Sequence, residues 1–525
     1  MSRGDLGWPL RRAARLYGDS PAVTDQRQSV TYGQLAARVE ALASSLDELS
    51  VPAGGRVGFL GANSLAHLEA WLGVPAAGRV LVDLNFRLAE DELAFIVDDC
   101  ETEAMIVDRD QLEMGRALRS RCASVRALVL DAPGPLQDDC LSYEQLVDSA
   151  SERPPPTAGE HDLATISYTG GTTGTPKGVM LSHGNLLANA CHNLIATGHR
   201  QSDRWLHVCP MFHVAGTANV LACTWTGCAQ IVLPRFDADA VLDAIERERI
   251  THTVLVPTML AMLLDALERR PRGVDSLRHI QYAASPISAA LQRRALERLQ
   301  CDIVQFYGMT EAAPTVSCVT AEDHRRGFAG EPGYAERLRS IGAPVVGVEA
   351  EVRGHDGRAL PPGEVGEVCV RGPNVMLSYW KRPEATEAAL LDGWYRTGDA
   401  AYAGDDGYLY LVDRLKDMII SGGENVYSVE VEMALVDHPA VREAAVFGVP
   451  DPRWGEAVYA VAVVEEGARV SADELIEHAR RRIAGYKVPR TIELRAEPLP
   501  KSGAGKVLKN VLREPFLAGD HERVG

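Results

Sequence analysis

The sequence predicts an α/β protein built from more than one domain, and three observations carry this. Helix and strand patterns alternate through the first 150 residues and again between 180 and 330. From 342 to 412 the texture changes to short alternating runs cut by the turn pairs Asp356-Gly357, Pro361-Pro362-Gly363, Asp392-Gly393 and Asp406-Gly407, which predicts antiparallel β structure. After Asp413 a mixed α+β pattern returns. At 525 residues the chain also exceeds the roughly 250–300 at which a single core stops growing.

Taken in order, Leu35, Val39, Leu42, Leu46 and Leu49 lie on one helical face, with Ser29 or Thr31 as a candidate cap. Arg56–Leu60 reads as a buried strand, Ser64–Leu72 as a helix, and Val80–Leu84 and Ala104–Val107 as further strands. Residues 151–162 are Pro-rich and polar and predict a surface connection. Leu163–Tyr168 has strand character. Ile231–Leu233 precedes a helix from Asp237, and Val254–Val256 precedes one from Pro257. This alternation favours mostly parallel sheets.

Hydrophobic residues at 46% and charged residues at 24% are ordinary globular usage and exclude a mostly disordered, collagen-like or coiled-coil chain. Lys plus Arg number 54 against 72 Asp plus Glu, a net charge of −18. Such a surface repels phosphate backbones and anionic lipid, so no nucleic-acid partner is expected. The 10 cysteines are scattered, without C-x-x-C or zinc spacing, and read as reduced thiols in a cytoplasmic protein. The N-terminal segment has no apolar run of signal-peptide type. Val220–Leu233, the longest apolar stretch, is too short to span a bilayer, so no transmembrane segment is expected. A homodimer is compatible with the chain.

The strongest chemical signal is Tyr168-Thr-Gly-Gly-Thr-Thr-Gly-Thr-Pro-Lys-Gly178, with four glycines, four threonines and one lysine in eleven residues after a strand. Glycine lets backbone N–H groups approach an anion, threonine adds hydroxyl donors, and Lys177 adds a positive charge. The sum is a polyphosphate cradle: Thr169, Gly170, Gly171, Thr172, Thr173, Gly174, Thr175, Pro176 and Lys177. It is not a Walker A loop, because Pro176 precedes Lys177 and Gly178 follows it.

This segment resembles the signature loop of the adenylate-forming superfamily, which includes acyl-CoA synthetases, peptide-synthetase adenylation domains and luciferases. Tyr307-Gly-Met-Thr-Glu311, Tyr395-Arg-Thr-Gly-Asp399, Asp413-Arg-Leu-Lys-Asp417 and Pro500-Lys-Ser-Gly-Ala-Gly-Lys506 resemble its other motifs, in order. The resemblance covers roughly residues 10–515. It implies a large N-terminal domain, 1–412, of α/β subdomains plus a small β-barrel, and a mobile α+β domain over 413–525. It implies ATP, Mg²⁺ and CoA, with a small carboxylic acid as the remaining substrate.

By the same resemblance, Tyr307, Gly308, Met309 and Thr310 meet the nucleotide, with Thr310 on the α-phosphate. Glu311 serves magnesium, with Thr169 beside it; a carboxylate oxygen is a hard donor of the kind Mg²⁺ takes. Asp399 holds the ribose hydroxyls, and Arg414 touches ribose and phosphates. Lys416 is the rotating residue of the hinge. Gly422, Gly423 and Glu424 complete the cofactor-binding set, and Lys506 bridges the acid carboxylate and the α-phosphate. Pro210-Met-Phe-His-Val-Ala-Gly216 places His213 in the acid pocket. Ala283-Ala-Ser-Pro286 stands at the adenine-contacting turn, so Ala284, Ser285 and Pro286 join the nucleotide set.

Three positions depart from the common pattern. Gly170 replaces a frequent Ser and removes a hydroxyl. Ala283-Ala284 replaces Gly-Gly, and because alanine tolerates positive φ poorly, a different local backbone is expected. Ser428 replaces a frequent Pro and reads as neutral.

The expected activity is an AMP-forming acyl-CoA ligase, with a medium- or long-chain fatty acid first. Phe212, Val214, Ala312, Ala313 and Pro314 are uncharged, which suits an apolar acid. An aryl acid of the coumarate or benzoate type is the alternative. Loading of a carrier protein instead of CoA is another, and a non-catalytic nucleotide-binding protein is a third.

Overall fold

The structure is a computed structural model, and it describes residues 4–134, 139–148, 158–169, 176–284, 287–414, 417–421, 424–465, 467–501 and 507–517, without the side chains of Arg414, Asn425 and Leu517. Two large sheets form most of the N-terminal part. The eight-stranded sheet has the mainly parallel strands Val80–Leu84, Arg56–Leu60, Thr102–Asp108 and Ala127–Asp131 at its centre, with the antiparallel pair Leu163–Thr169 and Lys177–Ser182 towards one side. The nine-stranded sheet is parallel from Ala229–Val232 through Arg204–His207, His252–Leu255 and His279–Tyr282 to Asp302–Gly308.

Local sequence explains the elements. Thr31 caps the helix Tyr32–Glu48 through a capping box with Gln34. Asp237 caps Ala238–Glu248, and Pro257 opens Pro257–Arg269 at the first helical position, where its missing N–H costs nothing. Leu35, Val39, Leu42 and Leu46 are buried, as their spacing predicts.

A five-stranded antiparallel sheet stands where the small barrel was expected. It includes Glu349–Arg353, Gly366–Arg371, Trp394–Ala403 and Leu409–Arg414. The C-terminal unit has its own sheet, with Val441–Asp451 and Gly455–Val464 at its centre. Its own apolar cluster includes Ile419, Val431, Leu435, Val446, Val458 and Leu475. All ten cysteines are free thiols. Among the described residues no helix is long and apolar enough to cross a membrane.

One interior layer departs from the apolar rule. Side chains alternate faces along a strand, so Trp205 and His207, His252 and Val254, and His279 and Gln281 share one face of the nine-stranded sheet. Leu206, Leu255, Ile280 and Tyr282 point to the other, into an apolar cluster. On the polar face the rings of Trp205 and His252 stack at 5.9 Å, and those of His252 and His279 meet edge-on at 5.6 Å. Burial disfavours the imidazolium here. It pushes His207 down to about 4, and it pushes His252 down to about 2 with help from His199, His279, Arg278 and Arg200.

These depressed values fix a direction. Below pH 6.5 the unfolded chain takes up protons that the folded layer refuses, so stability falls as pH drops from 6.5 towards 4. Thermal melting between pH 8 and pH 5 should show Tm falling below pH 6.5. His252→Phe, which keeps a ring against Trp205, should flatten that slope by about one proton, or ~1.4 kcal/mol per pH unit.

Candidate functional site

The carboxyl ends of the parallel strands from both large sheets open into one cleft, the place where open α/β sheets bind ligands. Its volume is about 2560 Å³, and its walls include Thr169, Lys177, His213, Ala284, Tyr307, Glu311 and Asp399. Lys501, Val507 and Lys509 of the C-terminal unit line the same cleft.

The glycine- and threonine-rich segment connects two antiparallel strands, Leu163–Thr169 and Lys177–Ser182. Thr169 pairs with Lys177 across the two strands, and Thr169 Oγ1 donates to the Lys177 carbonyl at 3.4 Å. A strand therefore follows the loop, where a Walker A loop would lead into a helix. Lys177 Nζ lies 5.1 Å from the Tyr379 ring centre, a cation–π contact. Tyr168 anchors the hairpin base by donating to Asp99 at 2.6 Å. Pro176 lines the cleft, while Gly170, Gly171, Thr172, Thr173, Gly174 and Thr175 lie outside the described residues.

Tyr307, Gly308 and Met309 leave the end of the strand Asp302–Gly308. A side chain on Gly308 would sit 1.7 Å from the Pro314 carbonyl oxygen, so the following turn closes only on glycine. Thr310–Ala312 form a short 3₁₀ turn. Asn374 holds it from behind, donating to the carbonyls of Ala312 and Thr315 at 2.7 and 2.8 Å. Tyr379 donates its hydroxyl to Glu311 at 2.9 Å. Burial, and then the Glu311 charge, raise the Tyr379 and Tyr395 hydroxyls far above the usual phenol range, so both remain protonated.

Tyr307 donates to Asp399 at 2.7 Å. Asp399 lies within the strand Trp394–Ala403, in register with Arg414. Its carboxylate is part-buried. His213 caps the short helix Val214–Thr217. Its Nδ1 accepts from the Ala215 N–H at 3.2 Å, which puts the ring proton of the neutral form on Nε2.

Two readings of the departures need correction. Ala284 keeps a positive φ of 77° despite its Cβ, so the backbone follows the glycine-type turn at the cost of strain. Ser428 is not neutral. Its N–H and its hydroxyl both donate to Asp413, the hydroxyl at 3.0 Å, and Lys509 donates to the same hydroxyl. A proline there could make neither bond. Asp413 is buried.

Glu424 is exposed on the strand Glu424–Val426. Ser285, Pro286, Lys416, Gly422, Gly423 and Lys506 lie outside the described residues, as does the Arg414 side chain. The flanks of Lys506 are held together: Lys501 bridges to Val507, Leu508 N–H donates to the Pro500 carbonyl at 2.8 Å, and Lys501 pairs with Glu443 at 2.8 Å. Asn374, Tyr379 and Tyr395's place beside Glu311 had no sequence signal. Tyr379 and Tyr395 reach the site by strand pairing, Tyr379 opposite Val179 and Tyr395 opposite Val370, whereas Asn374 lies in the turn after Gly366–Arg371.

Ala284→Gly should relieve the strain and raise stability by up to about 1 kcal/mol, whereas Ala284→Val should lower it by more than about 1 kcal/mol. Chemical denaturation of the two variants checks the sign. Asn374→Ala leaves two buried carbonyls unpaired and should cost roughly 1–3 kcal/mol in the same measurement.

Comparison with known proteins agrees with this geometry. The family described as AMP-binding enzyme matches residues 10–380, and its C-terminal domain matches 430–506. A feruloyl-CoA synthase of Amycolatopsis is 41% identical, covering 98% of this chain and all of its own. An indoleacetate–CoA ligase of Aromatoleum aromaticum is 38% identical, covering 96% and 97%. A long-chain-fatty-acid–CoA ligase of Mycobacterium tuberculosis is 35% identical, covering 98% and 99%. The structure of the Bacillus subtilis o-succinylbenzoate CoA synthetase with its acyl-adenylate intermediate superposes with a TM-score of 0.84 at 31% identity, over 98% of both chains. The chain therefore belongs to the AMP-binding, adenylate-forming enzymes, among their acyl-CoA ligases.

Proposed function

We propose that this AMP-forming acid–thiol ligase acts on an aryl carboxylic acid and joins it to CoA through an acyl-adenylate. The observation that carries the choice of acid is a group of buried polar side chains, Asn193, Asn219, Gln281 and Thr315, that line the same cleft as Phe212 and His213, where a long alkyl chain would want an unbroken apolar bore. The feruloyl and indoleacetate relatives, at 41% and 38% identity, support the same reading. A medium- or long-chain fatty acid is the second reading, favoured by Phe212, Val214 and Ala218 in the cavity and by the 35% identical fatty-acid ligase.

In the first step a carboxylate oxygen bonds to the α-phosphorus of ATP while the bond to pyrophosphate breaks. The chain's contribution is positioning and neutralisation of charge. Thr310 and the cradle from Thr169 to Lys177 take the phosphates, the turn at 284–286 takes the adenine, and Asp399, oriented by Tyr307, takes the ribose hydroxyls. Glu311 and Thr169 offer oxygen donors at the cleft, a set suited to Mg²⁺, which when bound neutralises phosphate charge. Tyr379 holds the Glu311 carboxylate in place. His213 lies at the acid. In the second step the CoA sulfur bonds to the acyl carbon and AMP leaves.

We place the domain boundary at 412/413, with a hinge over 413–417 that turns the C-terminal unit between two poses. Lys506 serves the first step, and Gly422, Gly423 and Glu424 face the second substrate. Such relocation lets one site host a lysine and then a thiol.

Pyrophosphate release across a panel of aryl and fatty acids, with and without CoA, tests the reading. Aryl acids should show the highest kcat/KM, with thioester formed only when CoA is present. Higher kcat/KM for fatty acids replaces this reading with the second, and acylation of a carrier protein in preference to CoA removes the CoA assignment. Lys506→Ala should slow adenylate formation by about 10²–10³, the usual cost of one charge-stabilising donor, and leave thioester formation from supplied acyl-AMP largely intact. Equal loss in both half-reactions contradicts the role given to Lys506.

A further inference from the structure

We propose that Asn219 and Gln281 form a hydroxyl-reading pair in the acid cavity, so that the preferred substrate is an aryl acid bearing a ring hydroxyl. This rests on the aryl-acid reading above and narrows it.

Asn219 precedes the helix Val220–Thr226 and makes no capping bond with its side chain. Gln281 lies on the strand His279–Tyr282, on the polar face already described, in register with Val254 and Val304. Each is only 2% exposed, and both line the same cleft as Phe212 and His213. Asn219 Nδ2 donates to Gln281 Oε1 at 3.0 Å. Asn219 Oδ1 and Gln281 Nε2 then have no partner.

The pair therefore holds one unused acceptor and one unused donor. That count does not depend on how the two amides are oriented. Turning both over reverses the bond between them and still leaves one donor and one acceptor. A buried polar group without a partner carries its full desolvation penalty, so the guest that supplies both missing bonds binds best. An alkyl chain supplies neither. A methoxy group supplies an acceptor alone. A hydroxyl supplies a donor for Asn219 Oδ1 and a lone pair for Gln281 Nε2 from a single atom.

Sites built to bond a hydroxyl discriminate strongly against the analogue that lacks it, because the protein's own groups are then stranded. Neither residue belongs to the motifs that mark the nucleotide site. The two are 62 positions apart and meet only because the helix packs on the sheet.

The test compares 4-hydroxycinnamate with cinnamate, which share a skeleton, using kcat/KM for pyrophosphate release. The intact enzyme should prefer the hydroxylated acid by at least about tenfold, at the low end of such discrimination. Asn219→Leu and Gln281→Leu should each reduce that preference to within about threefold, with circular dichroism and thermal melting reporting that each variant is folded. The inference is overturned by equal kcat/KM for the two acids in the intact enzyme. It is also overturned by a preference that survives in both variants. Loss of activity on both acids in the variants leaves the intact enzyme's ratio to decide. Turnover of fatty acids without either aryl acid is a distinct result, and removes the aryl-acid reading itself.

Discussion

A hydroxyl bond from Tyr307 to Asp399 joins the end of the strand Asp302–Gly308, inside the nine-stranded sheet, to the small antiparallel sheet. A second, from Tyr379 to Glu311, joins a strand added to the eight-stranded sheet onto the turn that follows Tyr307. Each bond ties a carboxylate of the cleft to a phenol from a different sheet. Charged acceptors make the stronger hydrogen bonds, and both phenols of the pair around Glu311 are kept protonated by burial. The two acids are therefore held in place by neutral donors, which leaves their charge available to the cleft. Three sheets converge on one volume, and these bonds keep their ends in register.

The alternation of helix and strand, the cap at Thr31 (one of two candidates, with Ser29), the helix start near Asp237 and the change of texture at 342 were legible in the sequence, because each depends on local spacing. The strand Leu163–Thr169 that leads into the glycine- and threonine-rich segment was legible for the same reason. Asn374 and Tyr379 were not, because their partners are 59 to 68 positions away and only the tertiary fold brings them together. Ala284 shows a different limit. Its residue type argued for an altered turn, yet the surrounding structure imposes the left-handed conformation. Tertiary packing overrode a local preference, as it does at sites where strain is retained. Ser428 was misread because a hydroxyl reveals nothing until its partner, Asp413, is seen.

The polar face of the nine-stranded sheet sets a cost against a use. Histidines, glutamines and an asparagine replace the aliphatic side chains that would pack there, and several of their polar atoms lack partners. Near His252 and His279 the cost appears as sensitivity to acid. Towards Gln281 and Asn219 the same polar layer reaches the cavity and becomes a means of choosing among acids.

The Asp413–Ser428 contact has a mechanical consequence. With both carboxylate oxygens of Asp413 committed to one serine, the chain is clamped where the small sheet ends, and Lys509 fastens the clamp to the last helix and to Glu432. A swing of the C-terminal unit about any point after Asp413 would part it from Ser428 and have to open this clamp. A pivot just before it would carry the fastened pieces along unbroken. The clamp thereby acts as a latch across the hinge proposed over 413–417, to be released whenever the joint turns beyond Asp413.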